Sequence, residues 1–180
     1  MQRDEKARVS RDFPEWKAKE VDFCTLNKIP LNKKAWSGRR EVRLHGLSRT
    51  CTRQVNMLDH VLAAQVRLHP DWSIEKILED LWCNIAENIN RGGSQGPIHR
   101  GCPGTLTTKN LWYNYKHDTV LPGMCQLQLM GWPRRYCVGQ GYSDPELREL
   151  SGQSFSVPIA CMLDYVQWAN PWAAWWKAAD

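Results

Sequence analysis

The stretch Gly152-Gln153-Ser154-Phe155-Ser156-Val157-Pro158 joins a glycine, small polar side chains, an aromatic and a Val-Pro step directly ahead of an apolar helical pattern. Residues of these types form a tight loop at a helix N-terminus, where backbone N–H groups can meet a polar ligand. A second chemical feature is charge. Between Lys28 and Arg53 stand eight basic residues (Lys28, Lys33, Lys34, Arg39, Arg40, Arg43, Arg49 and Arg53) against Glu41 alone, a local excess of +7. Such a run suits a polyanion, and equally a solvated basic surface. The seven cysteines are scattered, without a Cys-x-x-Cys pair or an accompanying His-x-x-x-His. Free thiols in a reducing compartment are the simplest reading. His45, His60, His69, His99 and His117 lack ligand spacing and read as exposed side chains, so no metal site is expected.

The elements that must carry these residues follow from composition and periodicity. At 180 residues, with 42% apolar and 24% charged side chains, the chain reads as one globular domain. No run reaches the roughly 18 apolar residues of a membrane span, and the charged first 25 residues do not read as a signal peptide. Residues 1–60 hold 14 Lys/Arg and 8 Asp/Glu, whereas the remainder holds 10 and 11. Residues 1–20 show little periodicity and read as a mobile arm, and residues 21–50 read as loop. Val55, Leu58, Val61, Leu62 and Val66 predict a helix over 52–68, closed by Pro70. Ile74, Ile77, Leu78, Leu81 and Ile85 share a helical face and predict a second helix over 73–89, followed by a loop over 92–104. Residues 105–108 and 111–115 read as two short strands. A short helix is expected over 122–130, and Ser143-Asp144-Pro145-Glu146 is a capping box opening another. Pro158 should start a last helix, ahead of a tryptophan-rich tail over 170–180.

Three of these segments, in this order, resemble the C-terminal third of the DNA cytosine-5 methyltransferases. Gly104-Thr105-Leu106-Thr107-Thr108 is similar to the family's Pro-Thr-Leu-Thr segment. Leu121 to Pro133 is similar to Leu-Thr-x-x-Glu-x-x-Arg-Leu-Gln-Gly-Phe-Pro, with Leu129, Gly131 and Pro133 matching and Trp132 replacing Phe. Leu150 to Ile159 is similar to the final Gly-Asn-Ser/Ala-Val/Trp-x-Val-Pro-Val motif. The chain departs from the pattern where the family's Glu and Arg meet Cys125 and Gln128, and its Gln meets Met130.

The resemblance implies an α/β fold, here the C-terminal portion of a Rossmann-like methyltransferase, helix-rich with a few short strands. The 51–169 region would be the methyltransferase-like part, and 1–50 a basic arm or the end of a target-recognition region. Gln153, Ser154 and Phe155 would close one wall of an S-adenosylmethionine pocket. Arg39, Arg40 and Arg43 would contact the phosphates of double-stranded DNA. The sequence holds no Pro-Cys-Gln nucleophile loop and no Phe-x-Gly-x-Gly cofactor loop, and Cys102-Pro103 has the reverse order. Glu87-Asn88-Ile89 mimics the family's Glu-Asn-Val motif but reads as a polar helix end. The expectation is therefore a protein without catalytic residues of its own. It would be a fragment, a degenerate copy or one half of a split enzyme, partnered by an N-terminal methyltransferase half, intracellular and in the nucleus where there is one. A basic nucleic-acid-binding module, or a tryptophan-mediated interaction module, is the alternative. An incomplete sheet should leave the 52–68 helix poorly covered and the chain marginally stable.

Overall fold

The computed structural model describes residues 2–47, 51–92, 96–136 and 141–154, with side chains from Pro14 onward. It mixes helices with a small antiparallel sheet, and the chain divides into two compact units. The first unit holds the residues up to Thr105 together with Asn110–Leu121. The second holds Leu106–Lys109 and the chain from Pro122 onward. No helix among the described residues is long and apolar enough to cross a membrane.

In the first unit, helix α1 spans Gln2–Leu26, where the sequence reading gives an arm with little structure. Its buried stripe explains the difference. Trp16, Glu20, Phe23 and Cys24 follow helical spacing, but one of the four is a carboxylate, so hydropathy alone does not reveal the face. Pro14 removes one amide from the helix ladder, and the buried stripe begins just beyond it. Helix α2, Thr52–Leu68, forms as its apolar periodicity predicts. It is not poorly covered: every residue from Met57 to Gln65 is buried, with Met57, Leu58 and Val61 wholly inaccessible. The neighbours the sequence reading lacked are α1 and an antiparallel sheet.

That sheet replaces most of the second predicted helix. Helix α3 is only Ile74–Leu78, with the Ser73 hydroxyl accepting from the Lys76 amide. Strand β1 follows at Leu81–Asn84. Leu81, Cys83 and Ile85 are all fully buried, and they alternate at period two as well as sharing a helical face with Ile77 and Leu78. Pairing on both edges decides between the two periods. Strand β2, Ile98–Arg100, lies antiparallel on one side of β1, and β3, Trp112–Asn114, on the other. Strand β4, Thr119–Val120, completes the order β2-β1-β3-β4. Residues 105–108, expected as a strand, run outside the sheet, and β2 occupies part of the expected 92–104 loop. The apolar core gathers Trp36, Val42 and Leu44 with the α2 stripe, β1 and Tyr113 and Tyr115.

The second unit contains α4, Gly123–Leu129, a 3₁₀ turn at Arg134–Tyr136, and α5, Asp144–Gln153. Gly123 fixes how closely α4 approaches α5. A Cβ at this position would stand 2.6 Å from both the Arg148 amide nitrogen and the Asp144 carbonyl oxygen. The Gly123 N–H donates to Asp144 Oδ1 at 2.6 Å. The buried Ser151 hydroxyl sits 3.0 Å from Gln126 Oε1 and 2.8 Å from the Arg148 carbonyl, either of which can take its proton.

Candidate functional site

The basic turn of the first unit is held from beneath by two carboxylates. Asp59, buried on α2, accepts the Trp36 and Ser37 amides on Oδ1, each at 2.7 Å, and the Ser37 hydroxyl on Oδ2 at 2.6 Å. Asp118 accepts the Arg43 amide at 2.5 Å and the Leu44 amide at 2.9 Å. A buried polar chain connects these two ends. Trp36 Nε1 donates to the Tyr113 hydroxyl at 2.9 Å, and that hydroxyl donates to Asp118 Oδ1. Burial, followed by the hydrogen bond to Asp118, pushes the Tyr113 phenol well above its ordinary range, so it stays a donor. Leu44 has φ of 60°, a conformation that a branched side chain rarely adopts, yet it is 2% exposed. The Asp118 carboxylate, together with the hydrogen bond from the His45 amide to the Asp118 carbonyl, holds this strained turn in place.

Pinning the backbone sorts the basic residues. Arg39 is half-buried, donates to Glu41 Oε1 at 2.6 Å and lies over the Trp36 ring. Arg43 is exposed and bends back to the Arg40 carbonyl at 2.8 Å. Arg40, Lys28, Lys33 and Lys34 are exposed, and among the described residues none of the four has a carboxylate partner. Arg53 is structural instead. Its guanidinium covers the Trp16 ring and donates to the Glu87 carbonyl at 3.1 Å. Arg49 lies outside the described residues. The three arginines predicted for DNA are therefore on one short turn, with Arg40 the one whose charge is uncommitted.

Sequence reasoning missed a buried acid–base pair. Glu20 on α1 and His60 on α2 are 2% and 1% exposed, with His60 Nε2 2.8 Å from Glu20 Oε1. His60 is thus a core residue, not the exposed histidine expected. The same Glu20 oxygen accepts from Asn56 Nδ2 at 2.9 Å, and Oε2 accepts from Lys17 at 3.1 Å. Burial would raise the Glu20 carboxyl, but the hydrogen bonds from His60 and Lys17 outweigh it and hold the group below the ordinary carboxylate range. Burial and then the nearby Glu20 charge push the Cys24 thiol up to about 11, which leaves it a poor nucleophile at neutral pH. The available signal was spacing: Trp16, Glu20, Phe23 and Cys24 make a helical stripe once a charged residue is admitted to it.

The second unit holds residues 106–108, 122–133 and 150–154 of the resembling segments. Gly152 lies against residues 107 and 108: a Cβ there would overlap the Thr107 carbonyl carbon and the Thr108 amide nitrogen, and stand 2.7 Å from Thr108 Cα. Only glycine permits that approach. Gly152 and Gln153 do not open a loop, as expected, but end α5, because the Ser143–Glu146 cap starts a helix that runs three residues past Leu150. Gln153 is exposed and its amide donates to Glu149 Oε1 at 3.2 Å. The Ser154 hydroxyl donates to the Leu150 carbonyl at 2.6 Å. Phe155 and the Val157-Pro158 step lie outside the described residues, as does the predicted helix beyond them.

Two motif mimics resolve into ordinary structure. Glu87-Asn88-Ile89 belongs to the turn after β1 rather than to a helix end, and Glu87 pairs with Arg91 at 3.0 Å. Cys102 is exposed beside Gly101, in the bend after β2. Among the described residues no group of three His, Cys, Asp or Glu side chains is placed to hold a metal ion. No family model, curated protein or solved structure matches the chain.

Proposed function

We propose that this chain is a DNA cytosine-5 methyltransferase-like protein that contributes a cofactor-side wall and a DNA-backbone contact, and that it transfers no methyl group by itself. One observation carries the reading. Of the three resembling segments, 104–108, 121–133 and 150–159, all described residues but Gly104, Thr105 and Leu121 fall in one compact unit, and Gly152 of the last segment is packed on the backbone of the first. A chance likeness of turn and helix signals gives no reason for the glycine of one segment to need the backbone of another.

On this reading Gln153, Ser154 and Phe155 face S-adenosylmethionine only once a Rossmann-like half is present. That half would supply the cysteine nucleophile, the acid that holds the base and the glycine-rich cofactor loop. The Ser154 hydroxyl, now spent on its own helix, would have to turn toward the ligand. Acting on duplex DNA, such an assembly would work inside the cell, in the nucleus where there is one. The test is transfer of a tritiated methyl group from S-adenosylmethionine to duplex DNA. The chain alone should give none, and adding an N-terminal methyltransferase half should restore transfer that a Gly152→Ala substitution then lowers. Transfer by the chain alone overturns the proposal, and so does a failure of every half to restore it.

The second reading, a nucleic-acid-binding module without catalysis, is favoured by a different observation. Arg40 and Arg43 are exposed on a turn whose backbone two carboxylates hold. Salt-dependent duplex binding that Arg40→Ala and Arg43→Ala weaken, and that Gly152→Ala leaves intact, is its signature.

A further inference from the structure

We propose that the pocket between α1, α2 and the turn at residues 31–34 binds a phosphate monoester carried on a small organic body, a nucleoside monophosphate being the simplest. This inference stands apart from the methyltransferase reading and involves only the first unit. The pocket encloses about 370 Å³, within the size range of small-molecule sites. Its floor is the Glu20–His60 pair, and its lip carries Asn32, Lys33 and Lys34.

The charges of the floor and the lip are not equivalent. Both Glu20 oxygens are engaged by Lys17, Asn56 and His60, and both Asp59 oxygens by residues 36 and 37. The Lys33 and Lys34 ammonium groups are exposed at the mouth and have no carboxylate partner among the described residues. Two adjacent point charges without an internal counter-ion favour a doubly charged ligand. On the floor, His60 Nδ1 is buried and has no hydrogen-bond partner. With Nε2 held against Glu20 Oε1, Nδ1 is the ring atom left without a partner. Val21 and Leu31, 44% and 46% exposed, also line the pocket and offer apolar surface to the organic part of the ligand. Inorganic phosphate alone would leave that surface uncovered.

The same phosphate chemistry could come from a free monoester or from a nucleic-acid backbone, and a calorimetric titration of the intact chain separates them. The probes are inorganic phosphate, a nucleoside 5′-monophosphate, the matching nucleoside and a short duplex without terminal phosphates. The monophosphate should bind more tightly than either phosphate or nucleoside. The double variant Lys33→Ala/Lys34→Ala, which changes two exposed residues, should weaken it about tenfold or more. The double variant Lys28→Ala/Arg40→Ala removes the same charge outside the pocket and should leave it unchanged. Equal weakening by both variants, a nucleoside that binds as well as its monophosphate, or binding of the duplex alone overturns the proposal. Methyl transfer is not read in any arm, so failure here leaves the proposed function standing, and failure there leaves this pocket standing.

Discussion

The two units are held together by different means. The first has a continuous apolar core into which Glu20, Asp59 and His60 are sunk, with both carboxylates satisfied by neighbours and His60 engaged through Nε2 alone. The described part of the second is a close helix pair, in which Gly123 and Gly152 admit backbone, Gln126 meets Ser151, and Leu127 and Leu147 are the buried apolar side chains. In the first unit tolerance is limited by charge: removing one partner leaves another buried and unpaired. In the second it is limited by space: a single methyl group meets backbone that cannot move aside. The buried carboxylates and the buried histidine all fall in the charge-limited unit.

Glu20→Ala gives the largest expected effect, because it strips His60, Lys17 and Asn56 of their shared acceptor. A loss of about 3–5 kcal/mol is expected in urea unfolding at neutral pH. Glu20→Gln keeps an acceptor oxygen and should lose less. The sign of the pH effect follows from a folded-state value held below the ordinary one. The carboxylate's contribution is present above the unfolded carboxyl range and is lost as pH falls through the lowered value. Stability of the natural chain should therefore fall on that acid limb more steeply than that of Glu20→Gln. Equal slopes would mean that the pair contributes packing and no charge.

Gly123→Ala should cost about 2–3 kcal/mol, since the added carbon would meet two backbone atoms of α5 at 2.6 Å. The comparison is sharpened by where the loss appears. Hydrogen exchange should quicken in α4 and α5 and stay unchanged in α2 and β1. Quickening throughout would show that the two units unfold as one.

Asp118→Ala removes the acceptor for the Arg43 and Leu44 amides and for Tyr113. With Leu44 at φ 60° no longer held, about 1–2 kcal/mol should be lost, and duplex binding should weaken although no basic residue has changed. Unchanged binding would show that the basic turn acts by charge alone.

What the sequence revealed divides along the same line. Helices α2 and α4 and the cap of α5 were readable because their signals are local: an apolar stripe, a proline before a short apolar run, and a serine three residues ahead of a glutamate. Helix α1 was hidden because Glu20 occupies a core position and lowers the apparent amphipathicity. Strand β1 was read as helix because Leu81, Cys83 and Ile85 satisfy both periods, and the strands that decide the matter lie 14 or more residues away in sequence. Of the site, the arginine turn was visible as a charge run, but its two anchors were not, since Asp59 and Asp118 are ordinary residues until the chain folds. The Glu20–His60 pair had no signal beyond a spacing that also fits a solvated helix.

The smallest expected effect tests whether local capping matters where space is the constraint. Glu146 Oε2 accepts both the Ser143 amide, at 2.7 Å, and the Ser143 hydroxyl, at 2.6 Å. These bonds, the hydroxyl's first, hold the Glu146 carboxyl below its ordinary range. Ser143→Ala keeps the amide bond and loses the hydroxyl, so about 1 kcal/mol is expected, confined to the second unit. The cap also fixes the start of α5, and with it the position of Asp144, whose carboxylate takes the Gly123 amide. If the cap only ends a helix, Ser143→Ala and Gly123→Ala should be additive in the double variant. If it sets how α5 meets α4, the double variant should be less destabilised than the sum, because the second change acts on a contact the first has already loosened. A double-variant cycle read by urea unfolding distinguishes the two, and additivity would place the fixing of the helix pair in the glycine contact alone.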